Sequence, residues 1–239
     1  TTFSSDIPLF GAGYRSEPLG GGDIMIAKVN PRLRGFDALL LGTYVGDGGL
    51  DVATSMQLDA NGLAWVAGYT LSDNLPVSPN AYQRTRAGGA DAFLAAFDPS
   101  AGGADFIRYM SYFGGSQDDV AYGVATGPGG EQTLAGYTYS RDVPLKDNPI
   151  PPAPGLRQSD LFVTRINTNQ SGPEALIYSV LFGGPGQDVA YDLTLTPAGH
   201  PFVAGTSSSP GLQSEGTPAK PNGPGYSTGL FLQLGPARP

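Results

Sequence analysis

Short apolar runs alternate with Gly- and Pro-rich breaks along the whole chain. None of the runs carries the i, i+3, i+4, i+7 stripe of a surface helix over three turns. Four kinds of run recur in a set order. The first follows a Gly-rich turn and reads Asp51–Leu58, Asp119–Ala125 and Asp188–Leu195. The second follows a tight turn such as Asp59-Ala60-Asn61-Gly62 and reads Ala64–Thr70, Thr133–Thr138 and Phe202–Thr206. The third is Asp23–Val29, Asp91–Phe97 and Asp160–Ile166, with a fourth copy at Gly229–Leu234 that has lost the Asp. The last is Ala38–Tyr44, Phe106–Phe113 and Leu176–Phe182. These runs are strand-length, rich in β-formers and bounded by turn residues, so each unit predicts about four short strands and almost no helix.

The units repeat at a fixed distance. Gly114-Gly115-Ser116-Gln117-Asp118-Asp119-Val120-Ala121-Tyr122 returns as Gly183-Gly184-Pro185-Gly186-Gln187-Asp188-Val189-Ala190-Tyr191, and more loosely as Gly46 to Ala53. Asp51, Asp119 and Asp188 stand 68 and 69 residues apart. A period of this length marks a repeat architecture, and four antiparallel strands per repeat make one propeller blade. The predicted fold class is all-β: a β-propeller of four-stranded blades, about three and a quarter to three and a half of them. A partial blade spans 1–44, full repeats span 45–112 and 113–181, and a second partial blade spans 182–239. The Ala-Gly pairs at 67–68, 135–136 and 204–205 suit a crowded site where a side chain would hold neighbouring sheets apart.

Closed propellers usually hold about four to eight blades, so this count raises the question of closure. Three arrangements follow. Remaining blades lie in a longer chain; or another copy completes a ring or filament; or the chain closes alone, with Asp23–Val29 beside the strand at Leu230–Leu234. Unpaired edges at an open end invite another chain, although by segment count two copies leave unmatched strands at each junction.

In order and spacing the chain resembles the bacterial β-propeller repeat family known as SBBP. The elements that carry the resemblance are Tyr112-Phe113-Gly114-Gly115 with Asp118 and Asp119, Ala64 to Thr70, Leu75-Pro76, and Asp91 to Leu94. The third unit departs from them, because Thr206-Ser207-Ser208-Ser209-Pro210 lacks the Tyr and the Asp of its counterparts, and Ile150 to Arg157 is unusually Pro-rich. The resemblance implies a secreted or cell-surface bacterial protein and supplies no catalytic motif.

Composition narrows the chemistry. A formal net charge of −8 and few Lys and Arg repel phosphate backbones, so nucleic acid is not the expected partner. No apolar run approaches the roughly 20 residues of a membrane-spanning helix, so membrane insertion is not expected. There is no Cys, which removes disulfides and thiolate chemistry. The opening residues lack the basic and apolar regions of a signal peptide, so a secreted form is expected to be a mature one.

The recurring Asp residues are the first site candidates. Asp51, Asp119 and Asp188 after the Gly turns are the calcium candidates, since hard cations take carboxylate oxygens on loops. Recurrence in every unit favours the structural alternative, in which each Asp accepts hydrogen bonds from its own turn. The same holds for Asp23, Asp91 and Asp160. Adjacent Asp118 and Asp119 point to opposite faces of a strand and do not converge on one bond, so no catalytic residue is assigned. His200 reads as a turn residue and Ser207-Ser208-Ser209 as a flexible polar loop. Most tyrosines recur at strand positions and read as packing between blades, whereas Tyr82 and Tyr139 lie in long loops and are the partner-binding candidates.

The sequence therefore predicts a non-enzymatic module, extracellular or on the cell surface, that binds a protein or glycan partner through loops at about 71–90, 139–159 and 207–228. Alternatives are a subunit that self-assembles through incomplete terminal blades and a carbohydrate-active enzyme, a glycoside hydrolase or lyase. No cofactor other than calcium is in view.

Overall fold

A computed structural model describes residues 1–11, 13–148, 158–210 and 228–235. Each recurring run forms a strand, and strands close in sequence pair antiparallel into four sheets. Sheet one holds β1 (Ile24–Val29) and β2 (Leu39–Val45). Sheet two is a meander of β3 (Asp51–Leu58), β4 (Ala64–Thr70), β5 (Asp91–Phe97) and β6 (Ile107–Phe113). Sheet three repeats it with β7 (Asp119–Thr126), β8 (Gln132–Thr138), β9 (Asp160–Ile166) and β10 (Leu176–Phe182). Sheet four has β11 (Asp188–Leu195), β12 (Pro201–Ser207) and β13 (Thr228–Gln233). β1 and β13 lie in different sheets, so the strand pairing that closure by the chain alone would use is not formed among the described residues.

The sheets stack face to face, and the alternation of side chains along a strand explains how. On β5, Phe93, Ala95 and Phe97 join Ile24, Leu41 and Val45 of sheet one, while Ala92, Leu94 and Ala96 join Ala121, Val124 and Phe162 of sheet three. All seven residues of β5 are buried as a result. A third apolar layer joins Ala135, Leu161 and Val163 of sheet three to Leu193, Val203 and Leu230 of sheet four. Polar links run between sheets as well: Thr54 Oγ1 donates to the Ala121 carbonyl at 2.7 Å, and the Thr126 amide donates to Gln57 Oε1 at 2.8 Å.

The first strand of each complete unit carries one extra residue. The registers of β3, β7 and β11 slip between Ala53 and Ser55, Ala121 and Gly123, and Ala190 and Asp192. Thr54, Tyr122 and Tyr191 are thus unpaired bulge residues. The bulges also explain the Ala-Gly pairs, with a correction. A Cβ on Gly68, Gly136 or Gly205 would run into the carbonyl oxygen of Val52, Val120 or Val189, on the adjacent strand of the same sheet. The crowding that requires glycine is within a sheet, not between sheets. Three short 3-10 turns, at Gly103–Phe106 and its counterparts Gly35–Ala38 and Gly172–Ala175, lead into the last strand of a unit.

Gly136→Ala is expected to cost about 1–3 kcal/mol, the usual range for overpacking, because rigid backbone blocks the new methyl. Gly48 has nothing within 4 Å of an added Cβ, and Gly48→Ala is expected to leave the denaturation midpoint unchanged. Urea unfolding of the two variants checks the contrast.

Candidate functional site

The recurring Asp residues form pairs across the sheet junctions. Asp23 and Asp51, Asp91 and Asp119, and Asp160 and Asp188 are each 28 residues apart, and all six are buried. The first glycine of each Gly-rich turn lies between the partners. A Cβ on Gly114 would stand 2.9 Å from Asp91 Oδ1 and 2.8 Å from Asp119 Oδ2, and Gly46 and Gly183 meet their own pairs in the same way. The turn is glycine because two carboxylates fill the space a side chain would take.

The second Asp of each pair is held by its own turn and by a Thr/Ser-x-Ser phrase closing the second strand. Asp51 accepts from Thr70 Oγ1 at 2.5 Å, Ser72 Oγ at 2.9 Å and the Asp47 amide at 3.0 Å. Asp119 accepts from Ser140 Oγ at 2.8 Å and the Gly115 amide at 2.7 Å. Asp188 accepts from Ser207 Oγ, from Ser209 Oγ at 2.6 Å and from the Gly184 amide at 2.9 Å. Ser207 and Ser209 are therefore not part of a flexible polar loop: both are buried and clasp Asp188. Sequence reasoning passed over these hydroxyls, although their 19- and 21-residue offsets from the Asp recur in each unit.

The first Asp of a pair is less fully met. Asp91 Oδ2 accepts from the Ala87 amide and Gln83 Nε2, both at 2.9 Å, while Oδ1 of Asp23 and of Asp91 is buried without a hydrogen-bond partner, as is Oδ1 of Asp119 among the second members. Burial, reinforced by Asp119, pushes the Asp91 carboxyl up to about 6, and burial also raises Asp51 and Asp119. The three calcium candidates Asp51, Asp119 and Asp188 occupy three separate junctions. Among the described residues no group of three or more His, Cys, Asp and Glu side chains is placed to share a metal ion.

The tyrosines divide by location. Tyr112 is a clamp: its hydroxyl donates to the Ser72 carbonyl at 2.8 Å and accepts from the Leu75 amide at 2.9 Å, fixing the Pro-containing loop. Tyr82 packs on Phe113 with ring centroids 6.0 Å apart and lines a shallow hollow of about 300 Å³ with Pro144 and Pro173. Tyr139 is exposed beside a smaller hollow of about 100 Å³ and meets Tyr137 edge to face at 5.6 Å. From there the rings continue to Tyr122 at 5.9 Å and Tyr191 at 5.6 Å. This ladder crosses from sheet three to sheet four and ends on exposed Tyr191. The two partner-binding candidates are thus in different depressions, and only Tyr139 belongs to an extended aromatic surface.

No protein-family model matches this chain, and neither does any curated protein.

A cleft of about 530 Å³ opens between the first strands of three units, lined by Ser55–Gln57, Val124–Pro128 and Asp192–Pro197. His200 sits in the hairpin closing one side, its amide donating to Thr196 Oγ1 at 3.0 Å. Asp118 is exposed and accepts from the Ala90 amide at 2.8 Å, whereas Asp119 is buried, so the two neighbouring carboxylates diverge. Of the partner loops read from the sequence, the Pro-rich stretch 150–157 and most of 207–228 lie outside the described residues.

The carboxyl of Asp91 binds its proton more tightly folded than unfolded. Its contribution to stability is fully present below the unfolded pKa of 3.8 and is lost as pH rises through about 6. Thermal melting is expected to show stability falling across that window, and Asp91→Asn is expected to shrink the fall, since the amide mimics the protonated acid. Chelation with EDTA is expected to leave the melting temperature unchanged, and a drop on chelation would give the carboxylate pairs a metal-binding role.

Proposed function

We propose that the chain is a non-enzymatic β-propeller module of the SBBP type, extracellular or on the bacterial cell surface, that serves as a scaffold for binding a protein or glycan. The four stacked sheets are its blades, and the first strands β3, β7 and β11 line its axis. The observation that carries the binding assignment is the tyrosine ladder Tyr139–Tyr137–Tyr122–Tyr191, exposed at both ends on a rigid sheet framework. Tyrosine offers a flat apolar face and a polar tip at low cost in side-chain entropy, which suits both sugar rings and peptide backbones.

The buried carboxylates take a structural part in this reading. Hydroxyls and turn amides already hold Asp51, Asp119 and Asp188, and the exposed Asp118 turns away from its neighbour. Repulsion of polyanions by the acidic chain favours neutral ligands.

Binding of neutral oligosaccharides and of uncharged peptides, measured by calorimetry, tests the assignment. Tyr139→Ala and Tyr191→Ala are each expected to weaken binding about five- to thirtyfold, a loss of about 1–2 kcal/mol typical of an aromatic contact, while Tyr82→Ala leaves it unchanged. Equal affinity for all three variants would remove the ladder from the site.

A further inference from the structure

Two groups of tyrosine hydroxyl contrast in this molecule. Those of Tyr44, Tyr109 and Tyr112 bond loop backbone: Tyr44 donates to the Ser4 carbonyl at 2.9 Å, and Tyr109 accepts from the Tyr82 amide at 3.2 Å. Those of Tyr69, Tyr122, Tyr137, Tyr139 and Tyr191 have no hydrogen-bond partner among the described residues, and all five reach solvent.

The five belong to one surface that spans three sheets. Tyr69 and Tyr137 hold the same place on the second strands of sheets two and three, and Tyr122 and Tyr191 hold the bulge place on β7 and β11. Burial raises Tyr122 and pushes Tyr137 up to about 12, and Tyr69 adds to both shifts, which puts it beside the ladder. No cation lies over any of these rings among the described residues, although Arg15 stacks on Tyr14 and Arg165 on Tyr178. Their faces are open.

An apolar partner laid on this surface would strip water from five hydroxyls and leave each unpaired, a cost that grows with every one covered. A ligand with hydroxyls of its own removes that cost, because a hydroxyl both donates and accepts and turns to suit its neighbour. A peptide strand offers one donor and one acceptor per residue at fixed alternation. Successive rings of the ladder are also turned by 79°, 46° and 40°, so they present separate faces and no single flat platform. Separate faces suit a chain of small rings with rotatable linkages better than an extended backbone.

The hollow beside Tyr139 adds polar groups of the matching kind. Its floor is preset: Thr138 Oγ1 accepts from the Ser140 amide at 2.8 Å, while Ser140 Oγ donates to Asp119 at 2.8 Å and accepts from the Gln117 amide at 2.9 Å. Its rim is uncommitted. The side chains of Gln117, Arg141 and Gln158 are exposed there and make no hydrogen bond or ion pair among the described residues. Amides and a guanidinium are planar groups able to engage two adjacent hydroxyls at once. The hollow, about 100 Å³, has room for a few water-sized groups.

We propose that this surface is a glycan site, where a neutral oligosaccharide stacks sugar rings on Tyr139 and the ladder, meets Tyr69 as a further contact, and lodges adjacent hydroxyls of one sugar between Gln117 and Gln158. The proposal rests on the binding role given to the ladder above, and it commits that role to glycan and away from protein.

An array carrying neutral hexose and N-acetylhexosamine oligosaccharides beside uncharged peptides is probed with the full chain. Retention on oligosaccharides and not on peptides is expected. Calorimetry then uses the most strongly retained oligosaccharide. Gln117→Ala and Gln158→Ala are each expected to weaken its binding about two- to tenfold, the scale of one neutral hydrogen bond. Tyr137→Phe keeps the ring, removes the hydroxyl and is expected to lose a similar factor, with every variant keeping the sheet spectrum. Retention on peptides alone, abolished by Tyr139→Ala, would overturn the glycan assignment and leave the ladder as a binding surface. Oligosaccharide binding that Tyr139→Ala weakens but neither glutamine variant changes would overturn the part given to the hollow. A folded chain that retains neither class would remove the binding role itself.

Discussion

Burial of sheets on both faces is the constraint on which everything else in this molecule depends. A strand such as β5 has neighbours above and below, so both sets of its alternating side chains are apolar and all are enclosed. Covering a strand in this way removes roughly 25 cal/mol of unfavourable hydration per Å² of apolar surface, and the same gain recurs at each junction. The first glycine of each Gly-rich turn leaves room for the carboxylates of two neighbouring sheets to lie side by side, while the Thr/Ser-x-Ser clasps hold the first two strands of a sheet together. A stack held together like this has no natural end, because its last face is built like its inner ones.

The carboxylate pairs show how such closeness is tolerated at the polar rim. Two acids with few cationic neighbours are an expensive thing to bury, and burial drives the proton affinity of Asp91 upward in response. Hydroxyls and turn amides make up much of the lost hydration around Asp51 and Asp188. Backbone hydrogen bonds pin the opening of one sheet to the approach to the third strand of the sheet before it, the amides of Asp51, Asp119 and Asp188 donating to the carbonyls of Gly22, Ala90 and Ser159.

Much of this was legible in the sequence. Strand positions and their order follow from β-forming runs between turn residues, and the tight turn between the first two strands of a unit makes them antiparallel neighbours. The partners of the buried acids were not, because Asp91 and Asp119 are separated by 28 residues and by no local periodicity. Ser207-Ser208-Ser209 was misleading in composition: three serines suggest a solvated loop, yet two of them are enclosed around Asp188. The glycines of the Ala-Gly pairs announced crowding but not its direction, which the bulge on the adjacent strand decides. Among the tyrosines, Tyr82 and Tyr139 look equivalent as loop residues, and only the packed arrangement separates a ring laid on Phe113 from one that starts a ladder.

The bulge in the first strand of each unit has a wider bearing. An unpaired residue inserted between two correctly registered stretches leaves the alternation on either side untouched. Thr54, Tyr122 and Tyr191 occupy that place in successive units, so a small hydroxyl and two large rings are accommodated by the same framework. Each complete unit thus keeps one unpaired position on its first strand that takes side chains of very different size. A lineage of such chains can change that residue unit by unit while the strand register on either side stays as it was.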